Sequence, residues 1–446
     1  MKDIARQKND LLQLLQDQTP FLPDKQNTPE VHESLRSQNF LGEREQRIRK
    51  LDLSPVLLHD YCLPSVTEVD EKYKDIFSLQ GTEDSRIVLV NGHFSKKYSR
   101  LNLKESQVVV APLSEVPANE GKLLSQYFNK TQAHKDNLFT TLNTAYANRG
   151  IFVYIKENVS VDKPIHIVNL IHGNNQKIFL QTRNLIIAGK NSCVQIINSY
   201  HSISSDFTLN NVVTEMFTKP GSKIDYHLFQ GEGNIASHVH HTRVEQTQES
   251  TLNMSACTLC GQVVHNHIKV HLPESHCTTN LRGFYIPGKE QAFNYFTDLK
   301  HIAPHSESSQ VFKGIIEDQA QAVFTGKVYV ARDAQKTDAS QSGKHILLGE
   351  KAKAYARPQL EIYADDVSCA HGSTVGQLNK EALFYLKSRG ISEKKAQTML
   401  LHAFTDDILR DISIESYREL LAYLAGRRLK GEDIQNLCKS DLCAVC

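Results

Sequence analysis

The apolar positions of this chain change from a helical period to a period of two and back again. Over the first 75 or so residues the pattern is helical: Leu11, Leu12, Leu14 and Leu15 form an apolar cluster, and Pro20, Pro23 and Pro29 interrupt it. A second, heavily charged helical stretch is predicted over about 32–50. From about residue 86 the period becomes two. Ile87, Val88, Leu89 and Val90 run into Asn91-Gly92, a strong tight-turn signal. A mixed segment follows to about 150. From 150 to about 370 almost everything reads as short strands. Segments of strand character begin at Leu185, Val212, Arg243, His267, Asp298, Lys327 and Gln359, with successive starts 27, 31, 24, 31, 29 and 32 residues apart. Turns rich in Gly, Asn, Asp and Ser separate them, and no long helical pattern intervenes, which argues against βαβ units. A loose period of this size fits stacked coils or a large sandwich, and the spacing alone does not choose between them. After Gly376 the pattern is helical again. Ala396, Met399, Leu400, Ala403, Phe404 and Ile408 make one apolar stripe, and Tyr417, Leu420, Leu421 and Leu424 make another. Gly390 and Gly431 read as helix stops and Ser392 as an N-cap. These helices are expected to cover the open end of the strand region. The divisions expected are a helical region (1–85), a mixed lead-in (86–150), a β core (151–376), a helical domain (377–436) and a cysteine-containing tail (437–446).

Composition narrows the function. The chain has 446 residues, enough for two or three domains. Its net charge of +1 gives no reason to expect nucleic acid or an anionic membrane as partner. No apolar run approaches 18 residues, and the first residues lack an apolar signal core, so neither a membrane span nor secretion is expected. Nine cysteines, odd in number and irregularly spaced, fit thiols in a reducing cytoplasm better than a disulfide framework.

The densest candidate chemistry lies in residues 357–376. Leu360, Ile362 and Ala364 alternate with Glu361, Tyr363 and Asp365, as in a half-buried strand, and Asp365 and Asp366 are expected to close it. Cys369 and His371 follow. In an extended segment both point to one face, with Cα atoms roughly 6.5–7 Å apart. A thiolate beside a neutral imidazole can ligate metal, act as nucleophile and base, or do redox work; more often such a pair is simply packed. The chain is then predicted to turn at Gly372 and Gly376. Other motifs are weaker. Cys257 and Cys260 form a C-x-x-C in strand-like sequence, where residues three apart face opposite ways. His265, His267 and His271 share a parity, as do His238 and His240, and stacked coils would bring some of them near His276 or Cys277; ordinary side-chain ladders are the simpler reading. Cys438, Cys443 and Cys446 have metal-ligand spacing but no fourth ligand. The G-x-G-x-x-A match from Gly231 to Ala236 leads into a strand, whereas a dinucleotide fingerprint must open a helix. There is no phosphate-cradling G-x-x-x-x-G-K-[ST] and no G-x-S-x-G elbow.

Residues 298–391 resemble the SufB/SufD family of iron–sulfur cluster assembly proteins. They run from Asp298 through Ala364-Asp365-Asp366 and Cys369-Ala370-His371-Gly372-Ser373-Thr374 to Ile391. Val90-Asn91-Gly92 with Phe94, the run Val108 to Ser114, Leu142 to Ala145 and Pro164 to Ile167 are similar too, so the likeness spans about 86–425. The C-x-H-G-[SA]-T form resembles the SufD branch. The resemblance implies a mainly β fold with helical ends, built on a right-handed parallel β-helix. It also implies a non-enzymatic scaffold subunit, pairing with a SufB-type subunit through the β-helix and recruiting a SufC-type ATPase through the C-terminal helices, where Met399, Leu400, Ala403 and Phe404 offer an apolar face. His371 falls where the family has its subunit interface, with Cys369 beside it. No cofactor is expected on the isolated chain; a transient iron–sulfur cluster is expected in the complex, and a homodimer is possible in isolation. A rival reading is a β-solenoid enzyme acting on polysaccharide through Glu361, Asp365 and Asp366. Such catalysis needs two carboxylates about 5–10 Å apart around one bond, and adjacent strand residues face opposite ways. A purely structural homodimeric solenoid is the third reading.

Overall fold

The computed structural model describes residues 9–15, 28–38, 54–57, 59–64, 69 and 79–434, apart from 105, 148 and 433. The tail cysteines Cys438, Cys443 and Cys446 lie outside the described residues, as does the charged stretch beyond residue 38. The helix observed there is Thr28–Ser37, and Pro29 sits in its first turn, where a missing N–H costs no hydrogen bond.

Between 85 and 376 the chain winds as a parallel β-solenoid of about eight turns. Each turn lays one strand on each of two sheets. The first sheet has nine strands and runs from Val108–Pro112 to Lys353–Ile362; the second has eleven and ends at Ser368–Gly376. All seven repeating segments read from the sequence are successive rungs of the first sheet. Register defines the coil: Val263 lies beside Ser237, 26 residues on, and Lys353 beside Gln321, 32 residues on. The sequence period is therefore the length of one turn, and stacked coils replace the sandwich.

Each turn closes at a corner in the left-handed region. Asn158, Asn191, Gly221, Glu249, His276, His305 and Lys336 all have φ between 53° and 70°. At most of these corners the backbone N–H donates to the next coil, as from Asn191 to Pro220 O at 3.0 Å and from Lys336 to Asp366 O at 2.7 Å. Asn and Gly favour this conformation. Glu, His and Lys do not, and these corners carry no sequence signal. The hairpin at Asn91-Gly92 does, with φ of 49° and 77° between the antiparallel strands Ser85–Val90 and His93–Phe94.

Inside the coils Ile186, Ile196, Met216, Tyr226, Val264, Leu281, Phe293 and Phe312 form a continuous buried column. Both outer faces are also apolar in part, and helices cover them. Leu138–Tyr146 lies on the first sheet, over Phe179, Leu209 and Val239. Asn143 Nδ2 ties it to two rungs by donating to Thr182 O at 2.9 Å and Asn211 O at 3.0 Å. The C-terminal helices depart from expectation. They do not cover the solenoid end. Glu393–Leu409 and Glu415–Leu429 run back along the second sheet, packing Leu401, Ile408, Leu409, Tyr417 and Leu421 onto Ile197, Phe229, Phe284 and Ile315. Lys313 to Asp407 (2.6 Å) and Arg428 to Glu317 (2.8 Å) pin them there. The large apolar patch on that sheet is what these helices bury.

A fully buried ion pair fixes the lead-in segment. Arg183 and Glu215 are both 0% exposed and 2.5 Å apart on neighbouring rungs. Glu215 also accepts from Asn129 N (2.9 Å) and Thr131 Oγ1 (2.5 Å). Removing one charge strands the other. Glu215→Ala should therefore destabilise the protein by about 3–5 kcal/mol, read as a lowered urea midpoint. The apolar double replacement Arg183→Met with Glu215→Leu should recover much of that loss.

Candidate functional site

The last coil ends both sheets. Strand Lys353–Ile362 pairs only with Gln321–Val330, and Ser368–Gly376 only with Asp338–Leu347. Among the described strands nothing pairs with their outer edges. Two rows of backbone donors and acceptors therefore face outward, the arrangement that accepts another strand. Ile362, Tyr363 and Val375 add exposed apolar surface to this end.

Cys369 and His371 lie on that terminal strand, two residues apart and on one face, as their spacing predicts. They stand beside Ala339 and Gln341, which are buried, so they face the axis of the solenoid at its open end. One expectation fails here. Gly372 is not a turn: the strand continues through it to Gly376, and the next helix starts only at Lys380, capped by Asn379 Oδ1 accepting from Glu381 N and Ala382 N. The pair is thus held in a regular strand and not in a loop.

The two side chains differ in setting. Cys369 is half-buried against Val328, Val330, Ala339 and Ala364. Burial pushes its thiol up from the ordinary value. In the isolated chain the sulfur is therefore protonated at neutral pH, and a metal ion or an approaching cation would be needed to draw off the proton. His371 is exposed. One coil further in, His345 faces the interior and takes part in a 2.6 Å hydrogen bond with the Tyr285 hydroxyl; burial lowers its pKa to about 4, so it is neutral at pH 7. Nothing in its sequence surroundings marks it.

The carboxylates of the enzyme reading are placed differently from expectation. The strand ends at Ile362, so Asp365 and Asp366 do not close it but sit in the corner leading to Ser368. Asp366 pairs with Lys336, and Glu361 with Lys327 at 2.8 Å. Each of these two is neutralised by the coil before it. They bridge coils.

The remaining motifs resolve as follows. Cys257 and Cys260 are not on opposite faces. A register shift opposite Gln230/Gly231 leaves Leu259 as an extra residue in their own strand, and both thiols pack in the cluster beneath the C-terminal helices. Burial raises the Cys257 thiol far above its usual range. Gly231 ends one strand and Ala236 starts the next, so the glycine motif is an inter-sheet turn. His238 faces the interior with Glu232 at 2.6 Å and His240 with Thr214 at 2.9 Å. His271 pairs with Glu245 at 2.8 Å on the outside, on the same row as His265 and His267. His276 stacks on His305 and stands apart from that row.

The stripe on Glu393–Leu409 splits. Ala396 and Ile408 are buried with Leu401 and Thr405, whereas Met399 and Ala403 are exposed and Leu400 and Phe404 are half-buried. The Lys313 ammonium sits over the Phe404 ring at 4.5 Å, so Phe404 is already engaged. Helix Lys380–Ser388 has no buried residue and exposes Phe384 and Tyr385, at 73% and 57%. Met399, on the following helix, is exposed too. The sequence signal was the run Ala382 to Leu386, too short and too uniformly apolar to show an amphipathic period.

Comparison with known proteins agrees with this architecture. A family model described as the SUF system FeS cluster assembly SufBD core domain matches residues 170–404, and a SufBD N-terminal region model matches 12–167. The chain is similar to an iron–sulfur cluster assembly SufBD family protein of Synechocystis, 28% identical over 382 residues and 84% of each chain. It is 24% identical to the iron–sulfur cluster assembly protein SufD of Bacillus subtilis over 381 residues, covering 82% of this chain and 84% of that one. The Escherichia coli SufD protein is 33% identical over 200 residues, 45% of this chain and 47% of that one.

The thiol settings give a direct test. A raised pKa leaves less thiolate at pH 7.5 than an ordinary cysteine has, so iodoacetamide should modify Cys369 several-fold more slowly than a cysteine in an unfolded peptide. Its rate should keep climbing past the ordinary thiol value of about 8.5. Cys257 should stay unmodified until the protein is unfolded. Mass spectrometry of labelled peptides reads both.

Proposed function

This chain belongs to the SufBD family of iron–sulfur cluster assembly proteins, and on that premise we propose that it is a SufD-type scaffold subunit on which a cluster is assembled and then released. The observation that carries the proposal is the open final coil. It presents a sheet edge with no partner strand among the described residues and, on the same strand, a thiol and an imidazole in fixed relative positions. Strand pairing supplies affinity along an edge, while side chains beside it supply chemistry. A SufB-type subunit adding its own edge there would bury Ile362, Tyr363 and Val375 and bring its thiolates opposite Cys369 and His371. His371 would then ligate iron or accept a proton through its imidazole, and Cys369 would become a thiolate once iron lies next to it. The cluster in this scheme is cargo.

The second partner is a SufC-type ATPase. Phe384, Tyr385 and Met399 on the C-terminal helices form its docking face, and nucleotide hydrolysis belongs to it, since this sequence carries no phosphate loop. The chain itself is not an enzyme in this scheme. A cytoplasmic location fits the thiols kept at Cys193, Cys257, Cys277 and Cys369. No described helix is long and apolar enough to cross a membrane.

Replacement of His371 tests the site. His371→Ala should leave the melting temperature within a degree or two, because the residue is exposed. In cells lacking the wild-type protein it should reduce the activity of an iron–sulfur enzyme about 10-fold or more, the scale of losing a ligand or its partner. Full activity at normal protein levels would remove His371 from the site. The helices give a second test. Phe384→Asp should abolish pull-down of the ATPase with the melting temperature unchanged, whereas Phe404→Asp should lower the melting temperature, because Phe404 is packed under Lys313. Unchanged ATPase capture by Phe384→Asp would exclude this helix as the docking face.

A further inference from the structure

The outer face of the first sheet carries a group of imidazoles that the proposed function does not use. On strand Ala236–Glu245, Val239 belongs to the helix-covered cluster and Val244 to the interior core; on Val263–Leu272, Val263 and Val264 divide in the same way. Alternation then places His241, His265 and His267 together on the outer face, with His241 directly beside His267 in register. All three are at most 1% exposed. One ligating nitrogen from each lies within 4.8 Å of the other two. Their rings are inclined at 55–72° with centroids 5.5–6.5 Å apart, so they converge on a point and do not stack. His276 and His305, by contrast, lie parallel at 12°.

We propose that His241, His265 and His267 form a binding site for a divalent transition-metal ion of the Zn²⁺ or Fe²⁺ class. Neutral imidazoles suit these ions, and three of them leave a fourth position for water or a further group. Tetrahedral ligands at about 2.1 Å stand roughly 3.4 Å apart, so the side chains need to close by little more than an ångström. Rigid neighbouring rungs hold two of the ligands in register. A cleft opens farther along the same rows. Two residues beyond His241 and His267 are Arg243 and Lys269, both paired to Asp136. They line a cleft of about 300 Å³ with Glu245, His271 and Asp298. The cleft carries both signs of charge, with Asp136, Glu245 and Asp298 set among Lys135, Arg243, Lys269 and Lys300.

Asn137 couples this site to the helix above it. Its Nδ2 lies 3.0 Å from His241 Nε2, and its Oδ1 accepts from Thr140 N to cap the helix Leu138–Tyr146. An amide N–H donated to the ring competes with metal for that nitrogen, and opposes the N–H that a ligand bound through Nδ1 would carry there. A carboxylate at position 137 would keep the cap and accept the ring N–H, as acceptors behind metal-bound histidines do. Asn137→Asp should therefore tighten binding, which a merely packed histidine cluster would not predict.

The test uses the full chain, stripped with chelator, with Cys438, Cys443 and Cys446 changed to Ser so that tail thiols cannot contribute. Zn²⁺ titration against a chromophoric chelator should give one ion per chain with micromolar or tighter affinity and a higher melting temperature. Co²⁺ should give the visible bands of a tetrahedral nitrogen site without a thiolate charge-transfer band. His265→Asn and His267→Asn should each weaken binding at least 10-fold, while His271→Asn, in the cleft, should leave it within twofold. Anaerobic Fe²⁺ competition identifies which ion the site prefers. Absence of a bound ion, a thiolate-dominated cobalt spectrum, or affinity unchanged in His265→Asn would overturn the proposal. The cobalt spectrum of the chain with its histidines intact decides the matter if a histidine variant fails to fold.

Discussion

In-register parallel stacking is the constraint on which the rest of this structure depends. A coil of two strands cannot satisfy its own backbone. Each rung donates to the next turn and accepts from the one before, so the interior of the stack is secure and its end is not. The left-handed corners keep the period by turning the chain at the same place in every coil. The buried pair Arg183–Glu215 shows how closely the lead-in segment is fastened to that frame.

From this follows the distribution of surfaces. Two sheet faces with apolar patches require cover, and the N-terminal and C-terminal helices supply it, one set to each sheet. No described helix covers the terminal coil. Its open edge bears Cys369 and His371 on a regular strand, where neither can drift relative to the other. The same geometry engages two of the carboxylates nearby. Glu361 and Asp366 are each matched with a lysine from the preceding coil, so their charge stabilises stacking.

Much of this was legible in the chain. The segments beginning at Leu185, Val212, Arg243, His267, Asp298, Lys327 and Gln359 all belong to one sheet, and their spacing is the length of a coil. The Asn91-Gly92 turn and the Gly390 stop were legible because glycine and asparagine leave a local signature. The family likeness rested mainly on motifs in the strands and corners of the core, with Leu142 to Ala145 in the helix Leu138–Tyr146. What was not legible depends on contacts far apart in sequence. The bulge that puts Cys257 and Cys260 on one face arises from pairing with Gln230 and Gly231. His241 joins His265 and His267 only through the coil length. The path of the C-terminal helices follows from an apolar patch contributed by several coils, and Phe284 and Ile315 do not announce that they share it. Gly372 misled because a glycine in a terminal strand looks the same as a glycine in a turn.

Hydrogen exchange with and without the partner subunit tests the central claim most directly. The terminal strands Lys353–Ile362 and Ser368–Gly376 should exchange faster than inner rungs such as Thr208–Thr218 in the isolated chain, since no described strand pairs with one edge of each. Saturation with a SufB-type subunit should slow exchange selectively in these two strands. Equal exchange in free and bound states there, with protection appearing instead on the solenoid walls, would contradict the assignment of the open coil as the assembly site.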